Sequence, residues 1–301
     1  YPDHERIVLT NIPVASMAAP LISVLGPKLA HRAIAYPTGA RDPRVLLDLR
    51  RRLRDLETRE MIYLMPSRGM VGVYRDLAFF RLCGFQTPVG IPWTPDLDRV
   101  RILPNGELEP ECERIARALA ALGPFDLTGP AAWDLHLDAA ERAAGKATAG
   151  SLAEGPFLAV NMGGKAAQKD WGVDNWRALL ARIALRFPGM GLLVVGAAED
   201  VARAPLVCGG WRGPIVNACG KLAPRVSAAA MLGARLFLGH DSGPLHLASA
   251  IGLPCVGLFG DFNRPRAWHP YRGDNRILHD MRGVRAITVD QAFGAVMELL
   301  R

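Results

Sequence analysis

Residues 235–250 read RLFLGHDSGPLHLASA, and this stretch decides the fold. An apolar run leads into the polar turn Asp241-Ser242-Gly243, and an apolar segment headed by Pro244 follows it. Ser or Asp suits the cap of a helix, and Pro suits its first turn. The stretch therefore predicts a strand over 235–239 and a helix over 244–251. A strand that passes through a tight turn into a helix is the unit from which parallel α/β folds are built.

The same alternation continues on both sides of this stretch. Short apolar runs predict strands over 157–161, 192–195, 215–217 and 255–259. Apolar residues at helical spacing predict helices over 173–186, after 199 and over 224–232. Short, continuously apolar strands between amphipathic helices are typical of a parallel sheet covered on both faces. The second half is therefore predicted to be a Rossmann-like α/β domain.

The first half shows a weaker form of this pattern, with strands predicted near 7–9, 32–36 and 61–64 and helices near 18–25, 45–56 and 111–122. A chain of 301 residues favours two domains. Small and glycine residues over 143–154 are typical of a linker, so the expected domains are residues 1–150 and 151–301. The predicted fold class is α/β, with two Rossmann-like domains facing a cleft, because ligands bind at the carboxyl ends of parallel strands.

The composition narrows the class of protein. Half of the residues are hydrophobic and 22% are charged, which argues against disorder. Five scattered cysteines without CxxC spacing argue against a disulfide framework or a zinc site and favour the cytoplasm. The net charge of +7 lies mostly in residues 151–301, which indicates either an anionic ligand or an arginine-rich composition. A nucleic-acid partner is not expected.

The turn at 241–243 has the features of an anion site. Backbone N–H groups of Ser242 and Gly243 are expected at a helix N-terminus, where phosphates bind. Asp241, at the end of its strand, is placed to accept sugar hydroxyls, and His246 follows about one turn later. The alternative is an ordinary capped helix with a core-facing histidine.

A second candidate is the glycine turn after residue 161, which reads NMGGKAAQKDW. Gly163 and Gly164 let the backbone approach a ligand, and Lys165 and Lys169 supply positive charge. Since no Ser or Thr follows the Gly-Lys pair, this is not a Walker loop. The alternative is a solvated loop anchored by Trp171.

Two weaker candidates follow neighbouring strands. Glu199 is placed to take a ribose hydroxyl, although a helix-capping role is the alternative. Leu222 follows a Cys-Gly turn that suits the underside of a nucleotide base. Because all four motifs follow strands of one predicted sheet, they are expected at one edge of it.

In order and spacing these motifs resemble glycosyltransferase family 9, which contains the bacterial heptosyltransferases of lipopolysaccharide core assembly. The resemblance rests on DSGPLHLA at 241–248, on the strand that ends Leu258-Phe259-Gly260, and on Lys169-x-Trp171 followed by Trp176. It is good over residues 155–270 and loose before them. It implies the two-domain glycosyltransferase-B fold, a nucleotide diphosphate sugar donor, a glycan or lipid-linked acceptor, and an inverting mechanism without a metal or other cofactor.

By position, the resemblance implies that Lys169 contacts the donor phosphates and that Asp241 contacts the donor sugar, which makes these two the expected catalytic residues. It implies further contacts to the donor from Glu199 on the ribose, Leu222 on the base, and Ser242, Gly243 and His246 on the diphosphate and sugar. Gly164 and Lys165 stand where hydroxyl residues are common in the family, so the phosphate contacts are expected to differ there.

The general base is expected to lie upstream of Tyr1. The family's N-terminal Gly-Asp turn, which supplies the base, has no match, and Tyr1-Pro2 resembles the Tyr-Pro that follows the family's first strand and helix. The first domain is therefore expected to lack that strand and helix. The alternative is a base within residues 1–150, with Glu5, Asp42 and Asp76 as the candidates.

Two further features have structural alternatives. Asp96-Leu97-Asp98 has the D-x-D form of metal-dependent transferases but is expected to be a solvated loop. The run Arg50-Arg51-Arg52-Leu53-Arg54 indicates either a solvated helix face or peripheral contact with an anionic inner membrane or a lipid-linked acceptor. The rival functions are a nucleotide-sugar epimerase or hydrolase of the same fold and a non-catalytic nucleotide-sugar-binding protein.

Overall fold

The computed structural model describes residues 1, 3–12, 20–37, 42–163 and 166–301. Two compact units make up the chain, Tyr1–Leu127 and Thr128–Arg301. The division falls ahead of the linker that was expected over 143–154. Residues 128–150, which the sequence assigned to the first domain, therefore belong with the second unit.

The first unit contains two parallel strand pairs with helices between them. Its strands are β1 (Ile7–Ile12), β2 (Arg32–Pro37), β3 (Glu60–Ile62) and β4 (Thr87–Val89), and β1 pairs with β2 and β3 with β4. Its helices are α1 (Leu21–Leu25), α2 (Pro43–Arg54), α3 (Gly69–Leu82), α4 (Pro95–Asp98) and α5 (Glu111–Ala118). The start of the helix predicted over 18–25 lies outside the described residues, and α3 was not predicted.

The second unit contains the larger sheet. Its strands are β5 (Phe157–Asn161), β6 (Gly191–Val194), β7 (Ile215–Asn217), β8 (Phe237–His240), β9 (Cys255–Phe259) and β10 (Asn275–His279). Its helices are α6 (Ala139–Ala149), α7 (Val173–Arg186), α8 (Arg203–Cys208), α9 (Pro224–Met231), α10 (Gly243–Ala250) and α11 (Val289–Leu299). Short 3-10 turns at Gly150–Glu154, Ala167–Lys169 and Ala198–Asp200 belong to the segments between them.

The sheet of the second unit is parallel throughout and has the order β10-β9-β8-β5-β6-β7. From β5 the chain builds outward to β7, and it then returns to build outward from β8 to β10. The order of the strands therefore reverses between β5 and β8, which is the position where open α/β sheets bind ligands. This arrangement confirms the predicted Rossmann-like α/β fold class.

Buried apolar side chains on both faces hold this sheet in place. All residues of β5, β6, β8 and β9 are buried. On one face, α7 contributes Trp176, Leu179 and Ile183, and α11 packs beside it through Ala292 and Val296. Each such aliphatic side chain contributes roughly 1.5–3 kcal/mol by its burial. The continuous apolar runs in the sequence correspond to this double coverage.

The segment expected to be a linker is largely helical, and this is a correction. A capping box between Asp138 and Glu141 begins α6. Gly145 lies so close to α9 that a Cβ atom there would stand 2.5 Å from the carbonyl carbon of Ala229. Buried Arg225 of α9 pairs with Glu141 at 2.6 Å. The small residues therefore serve close helix packing rather than a flexible connection.

The D-x-D motif is also not the solvated loop that was expected. It forms α4, and buried Asp98 accepts hydrogen bonds from the backbone N–H groups of Arg68 and Gly69 (3.2 and 3.1 Å) at the start of α3. Asp96 pairs with Arg101 at 2.5 Å. Both carboxylates therefore have structural partners, and Asp98 caps a helix.

The arginine run lies on α2, as predicted, and part of it is engaged within the first unit. Arg50 donates to the carbonyl oxygen of Leu82 at 2.9 Å, and Arg51 pairs with Asp48 at 2.6 Å. Arg54 is exposed. Across the described ranges, no helix combines the length and the apolar character that crossing a bilayer requires.

Candidate functional site

The candidate site is built where β5 and β8 end, on the two sides of the reversal in strand order. The hydroxyl of Ser242, just after β8, donates to the side-chain oxygen of Asn161 at 2.9 Å. Asn161, the last residue of β5, donates in turn to the carbonyl oxygen of Val195 at 3.0 Å, just after β6. One chain of hydrogen bonds therefore fixes the ends of three neighbouring strands.

The two residues expected to be catalytic form an ion pair at this edge. The ammonium of Lys169 lies 2.7 Å from Oδ2 of Asp241 and 3.3 Å from the Asp241 carbonyl oxygen. Asp241 is only 8% exposed. A nearly buried carboxylate needs such a partner, because an isolated buried charge is strongly unfavourable. The glycine turn after β5 and the turn after β8 are thus joined by opposite charges.

The N-terminus of α10 has no side-chain cap, although Ser242 occupies the cap position. Its hydroxyl is directed to Asn161 and to the His240 carbonyl oxygen instead. At Gly243, a Cβ atom would meet no described heavy atom within 4 Å. This helix start is therefore open, and its N–H groups and dipole favour an anion.

His246 lies on the first turn of α10 with its side chain exposed, so it is not the core-facing histidine of the alternative interpretation. That description fits His240, which the sequence analysis passed over. The His240 ring is fully buried, and its Nε2 accepts from the backbone N–H of Trp171 and the indole N–H of Trp176, both at 3.2 Å. Its Nδ1 lies 3.4 Å from the Gly163 carbonyl oxygen.

These contacts keep His240 neutral. Two N–H donors point at Nε2, so the ring proton belongs on Nδ1, where it is donated to Gly163. Burial lowers the pKa of His240 to about 4. The ring therefore ties residue 163 and residue 171 together and holds the segment that carries Lys169.

Two residues of the loop after β9 also reach the ion pair, and the sequence analysis did not identify them. Asn263 donates to Oδ2 of Asp241 at 2.6 Å. The ammonium of Lys169 lies 4.3 Å from the centre of the Phe262 ring, which is 52% exposed. Their one sequence signal is their position after a predicted strand of the same sheet.

The expected ribose and base residues lie at the ends of β6 and β7, beyond β5. Glu199 is exposed, and among the described residues it makes no hydrogen bond or ion pair. Leu222 is half-buried and follows Gly220, whose N–H donates to the Gly196 carbonyl oxygen at 3.0 Å. The helix-capping alternative for Glu199 is therefore wrong, because the neighbouring Asp200 caps this turn through the N–H of Ala197 at 2.9 Å.

The close approach of the Asp200 side chain requires a glycine at position 163. A Cβ atom at this position would lie 2.0 Å from Oδ1 of Asp200. The carboxylate of Asp200 is half-buried, and this burial raises its pKa. Gly164 and Lys165, the other two candidates of the loop, lie outside the described residues.

The three carboxylates considered as alternative bases have partners within the first unit. Glu5 pairs with Arg32 at 3.3 Å. Asp42 accepts from the backbone N–H of Arg44 at 2.8 Å and caps α2. Asp76 pairs with Arg68 at 2.9 Å. All three are therefore engaged with groups of the first unit.

The model of glycosyltransferase family 9 (heptosyltransferase) matches residues 97–285. A family 9 glycosyltransferase from Veillonella parvula has a similar structure (TM-score 0.70, 17% identity, 98% of this chain and 97% of that chain). None of the curated proteins matches the chain.

Two Escherichia coli enzymes also share the fold. One is the ADP-heptose lps heptosyltransferase II (TM-score 0.65, 17% identity, 100% of this chain and 90% of that chain). The other is the heptosyltransferase WaaC with ADP (TM-score 0.61, 14% identity, 97% and 99%). At these identities the likeness shows the fold alone, and it confirms the glycosyltransferase-B type.

Proposed function

Because the chain belongs to glycosyltransferase family 9 and is a glycosyltransferase, we propose that it transfers the heptose of ADP-heptose to a lipopolysaccharide or related glycan acceptor, with inversion and without a metal. The choice of ADP and heptose draws on the E. coli enzymes of the same fold, which are a heptosyltransferase for ADP-heptose and one with bound ADP. The observation that carries the proposal is the Lys169–Asp241 ion pair beside the open N-terminus of α10.

The donor diphosphate is proposed to bind between Lys169 and the start of α10. Both supply positive potential at the carboxyl ends of β5 and β8, where the strand order reverses. When the glycosidic bond breaks, negative charge grows on the phosphate oxygen that leaves. Lys169 and the N–H groups at Gly243 stabilise this charge, and fixed charges of this kind are effective in catalysis because they need no reorganisation.

The remaining parts of the donor are proposed to extend along the same edge. Asp241 orients the hydroxyls of the sugar, and His246 lies one turn along α10 from Gly243. Glu199, which has no other partner among the described residues, is proposed to hold the ribose hydroxyls. Leu222 supplies apolar contact to the base. In nucleotide-binding folds, a carboxylate at the end of a strand commonly accepts hydrogen bonds from the ribose hydroxyls.

The reaction is proposed to be a single displacement. An acceptor hydroxyl oxygen forms a bond with the anomeric carbon while the bond from that carbon to the β-phosphate oxygen breaks, and ADP leaves. The hydroxyl proton passes to a general base, for which a carboxylate is suited when its pKa lies near the working pH. Attack opposite the leaving group inverts the anomeric centre. Asp241 is assigned to orientation and not to proton transfer, since its Oδ2 is held by Lys169 and Asn263 and its Oδ1 is directed to the donor sugar.

Contact with an anionic membrane is a further part of the proposal, since the acceptor is a lipid-linked glycan. Arg51 and Arg54 are exposed on α2. Each basic residue near an anionic surface contributes about 1 kcal/mol. Sedimentation with phosphatidylglycerol vesicles tests this: the wild type should bind, and the double variant Arg51→Glu, Arg54→Glu should not. Equal sedimentation of both proteins contradicts membrane contact through α2.

The decisive experiment supplies ADP-heptose, UDP-sugars and GDP-sugars with and without a truncated lipopolysaccharide acceptor. We expect ADP release and a heptosylated acceptor only when ADP-heptose and the acceptor are both present, with an inverted anomeric centre by NMR. ADP release without acceptor would indicate a hydrolase, and conversion of the free sugar nucleotide would indicate an epimerase. Binding without any turnover would indicate a non-catalytic protein. Each of these three results contradicts the proposal.

A further inference from the structure

The carboxylate of Asp241 is held asymmetrically. Its Oδ2 accepts from the ammonium of Lys169 at 2.7 Å and from the side-chain amide of Asn263 at 2.6 Å. No hydrogen bond from the described part of the chain reaches Oδ1. One oxygen is therefore doubly bound within the protein, and the other remains available to a ligand.

Lys169 alone does not fix this carboxylate once a diphosphate arrives. A phosphate near Lys169 competes for the ammonium, because charge-assisted hydrogen bonds to phosphate are as strong as those to carboxylate. Asn263 has no net charge and is not drawn to the phosphate in this way. It must present its amide nitrogen to Oδ2, since its own carbonyl oxygen there would place two acceptors together.

The loop that carries Asn263 is itself anchored at the same edge of the sheet. Between β9 and β10, the ring of His269 packs on Phe259 and lies 2.8 Å from the His279 ring, Nε2 to Nδ1. The backbone N–H of Arg266 donates to the same Nε2 at 3.2 Å. Phe259 and His279 end β9 and β10 and stand opposite each other in register. The loop is therefore anchored to the sheet a few residues beyond Asn263, through contacts that do not involve Lys169.

We propose that Asn263 is a positioning residue for Asp241. It holds Oδ2 when the donor phosphates engage Lys169, and it thereby keeps Oδ1 directed at the hydroxyls of the donor sugar. This inference rests on the proposed function, because it assigns a sugar contact to Asp241. It separates Lys169, which binds the nucleotide diphosphate, from Asp241 and Asn263, which act on the sugar.

The first test is Asn263→Ala, assayed with two ligands that differ only in the sugar. For ADP, calorimetry should give a dissociation constant within about a factor of two of wild type. For ADP-heptose, kcat/KM should fall about ten- to a hundredfold, which is the effect of losing one charge-assisted hydrogen bond. An equal change for ADP and ADP-heptose, or no change for either, overturns the proposal.

The second test uses pH. In Asn263→Asp, the introduced carboxyl group faces Oδ2 of Asp241, and two like charges at this distance raise the pKa of the pair even though Lys169 offsets part of the repulsion. Protonation restores a donor at this position, so the variant-to-wild-type activity ratio should rise as the pH falls. His240 and His246 also interact with Asp241. Both histidines are present in the two proteins, so the activity ratio reports the effect of the introduced carboxyl group. A pH-independent ratio contradicts a positioning role.

The matched control is Asn275→Ala. Asn275 also uses its amide, donating to the Arg272 carbonyl oxygen at 2.8 Å, but at the start of β10 and thus at the opposite edge of the sheet. Its substitution should change neither the dissociation constant of ADP nor kcat/KM for ADP-heptose. An effect like that of Asn263→Ala would show that both variants act by destabilising the loop, and it would overturn the proposal. If wild type neither binds ADP nor uses ADP-heptose, the proposed function itself fails, which is a different result from selective loss in the variant.

Discussion

At the scale of single residues, the buried, neutral His240 ring holds the backbone beside the candidate site by hydrogen bonds. It accepts from Trp171 and Trp176 and is tied to Gly163, so the segment carrying Lys169 is held at both ends. An imidazolium cannot accept these hydrogen bonds. Protonation of this buried ring would therefore break the hydrogen bonds that Trp171 and Trp176 donate to it.

This gives a prediction for the pH dependence of stability. Burial lowers the pKa of His240 from 6.5 to about 4, so between these values the unfolded chain binds the proton and the folded chain does not. The contribution of neutral His240 to the free energy of unfolding is fully present above about pH 6.5. It is lost as the pH drops toward 4, by an amount of the order of 3 kcal/mol. Urea unfolding followed by tryptophan fluorescence measures this loss.

The variant His240→Gln isolates the contribution of the ring. At pH 7 it should be less stable by about 1–3 kcal/mol, because the buried N–H groups of Trp171 and Trp176 are less well satisfied. Its loss of stability on acidification should be smaller than that of wild type. If both proteins lose the same free energy between pH 6.5 and 4, the assignment of the titration to His240 is wrong.

At the scale of elements, the contact between α6 and α9 depends on Gly145. A methyl group there would meet the backbone of Ala229 and Ala230 at 2.5–2.6 Å. Gly145→Ala should therefore lower the free energy of unfolding by about 1–3 kcal/mol, although alanine is the better helix former. Gly294→Ala on α11 is the control, since a Cβ atom there meets nothing described within 4 Å, and it should raise stability by up to about 1 kcal/mol. Stabilisation by both changes would contradict the packing of α6 on α9.

The elements that the sequence predicted well are those with a run of apolar residues or with apolar residues at helical spacing. The strands over 157–161, 215–217 and 255–259 and the helix over 173–186 have the predicted bounds. In contrast, β10 was missed because it is an edge strand of half-buried residues with charged and polar members. The helix α6 was missed because small residues suit both a linker and a close helix contact. Local composition does not distinguish these two uses.

The candidate site was predictable to the same degree. Asp241 and Ser242 come just after a strand and were identified from that position, and Lys169 was identified from the glycine turn that follows β5. Asn263 and Phe262 lie in a long loop after β9, where no periodic pattern marks a side chain that returns to the sheet. His240 was overlooked because it ends an apolar strand, and its value depends on tryptophans that are distant in sequence.

At the scale of the whole molecule, the division after Leu127 makes a prediction about autonomous folding. A fragment of residues 128–301 should unfold cooperatively in urea. A fragment of residues 151–301 lacks α6, so it loses both the ion pair between Arg225 and Glu141 and the close packing of α6 on α9, and it should unfold at a lower urea concentration. Equal stability of the two fragments would show that the second domain begins at residue 151 after all.

The central claim is that Lys169 and the open start of α10 bind the diphosphate of a nucleotide sugar. Calorimetry of ADP and adenosine with wild type and Lys169→Ala tests it most directly, with Lys146→Ala, an exposed lysine on α6, as the charge-matched control. We predict that Lys169→Ala weakens ADP binding about ten- to a hundredfold and leaves adenosine binding unchanged, because only ADP loses a charge-assisted contact. Absence of ADP binding in wild type, or equal weakening of ADP and adenosine in Lys169→Ala, would contradict the claim.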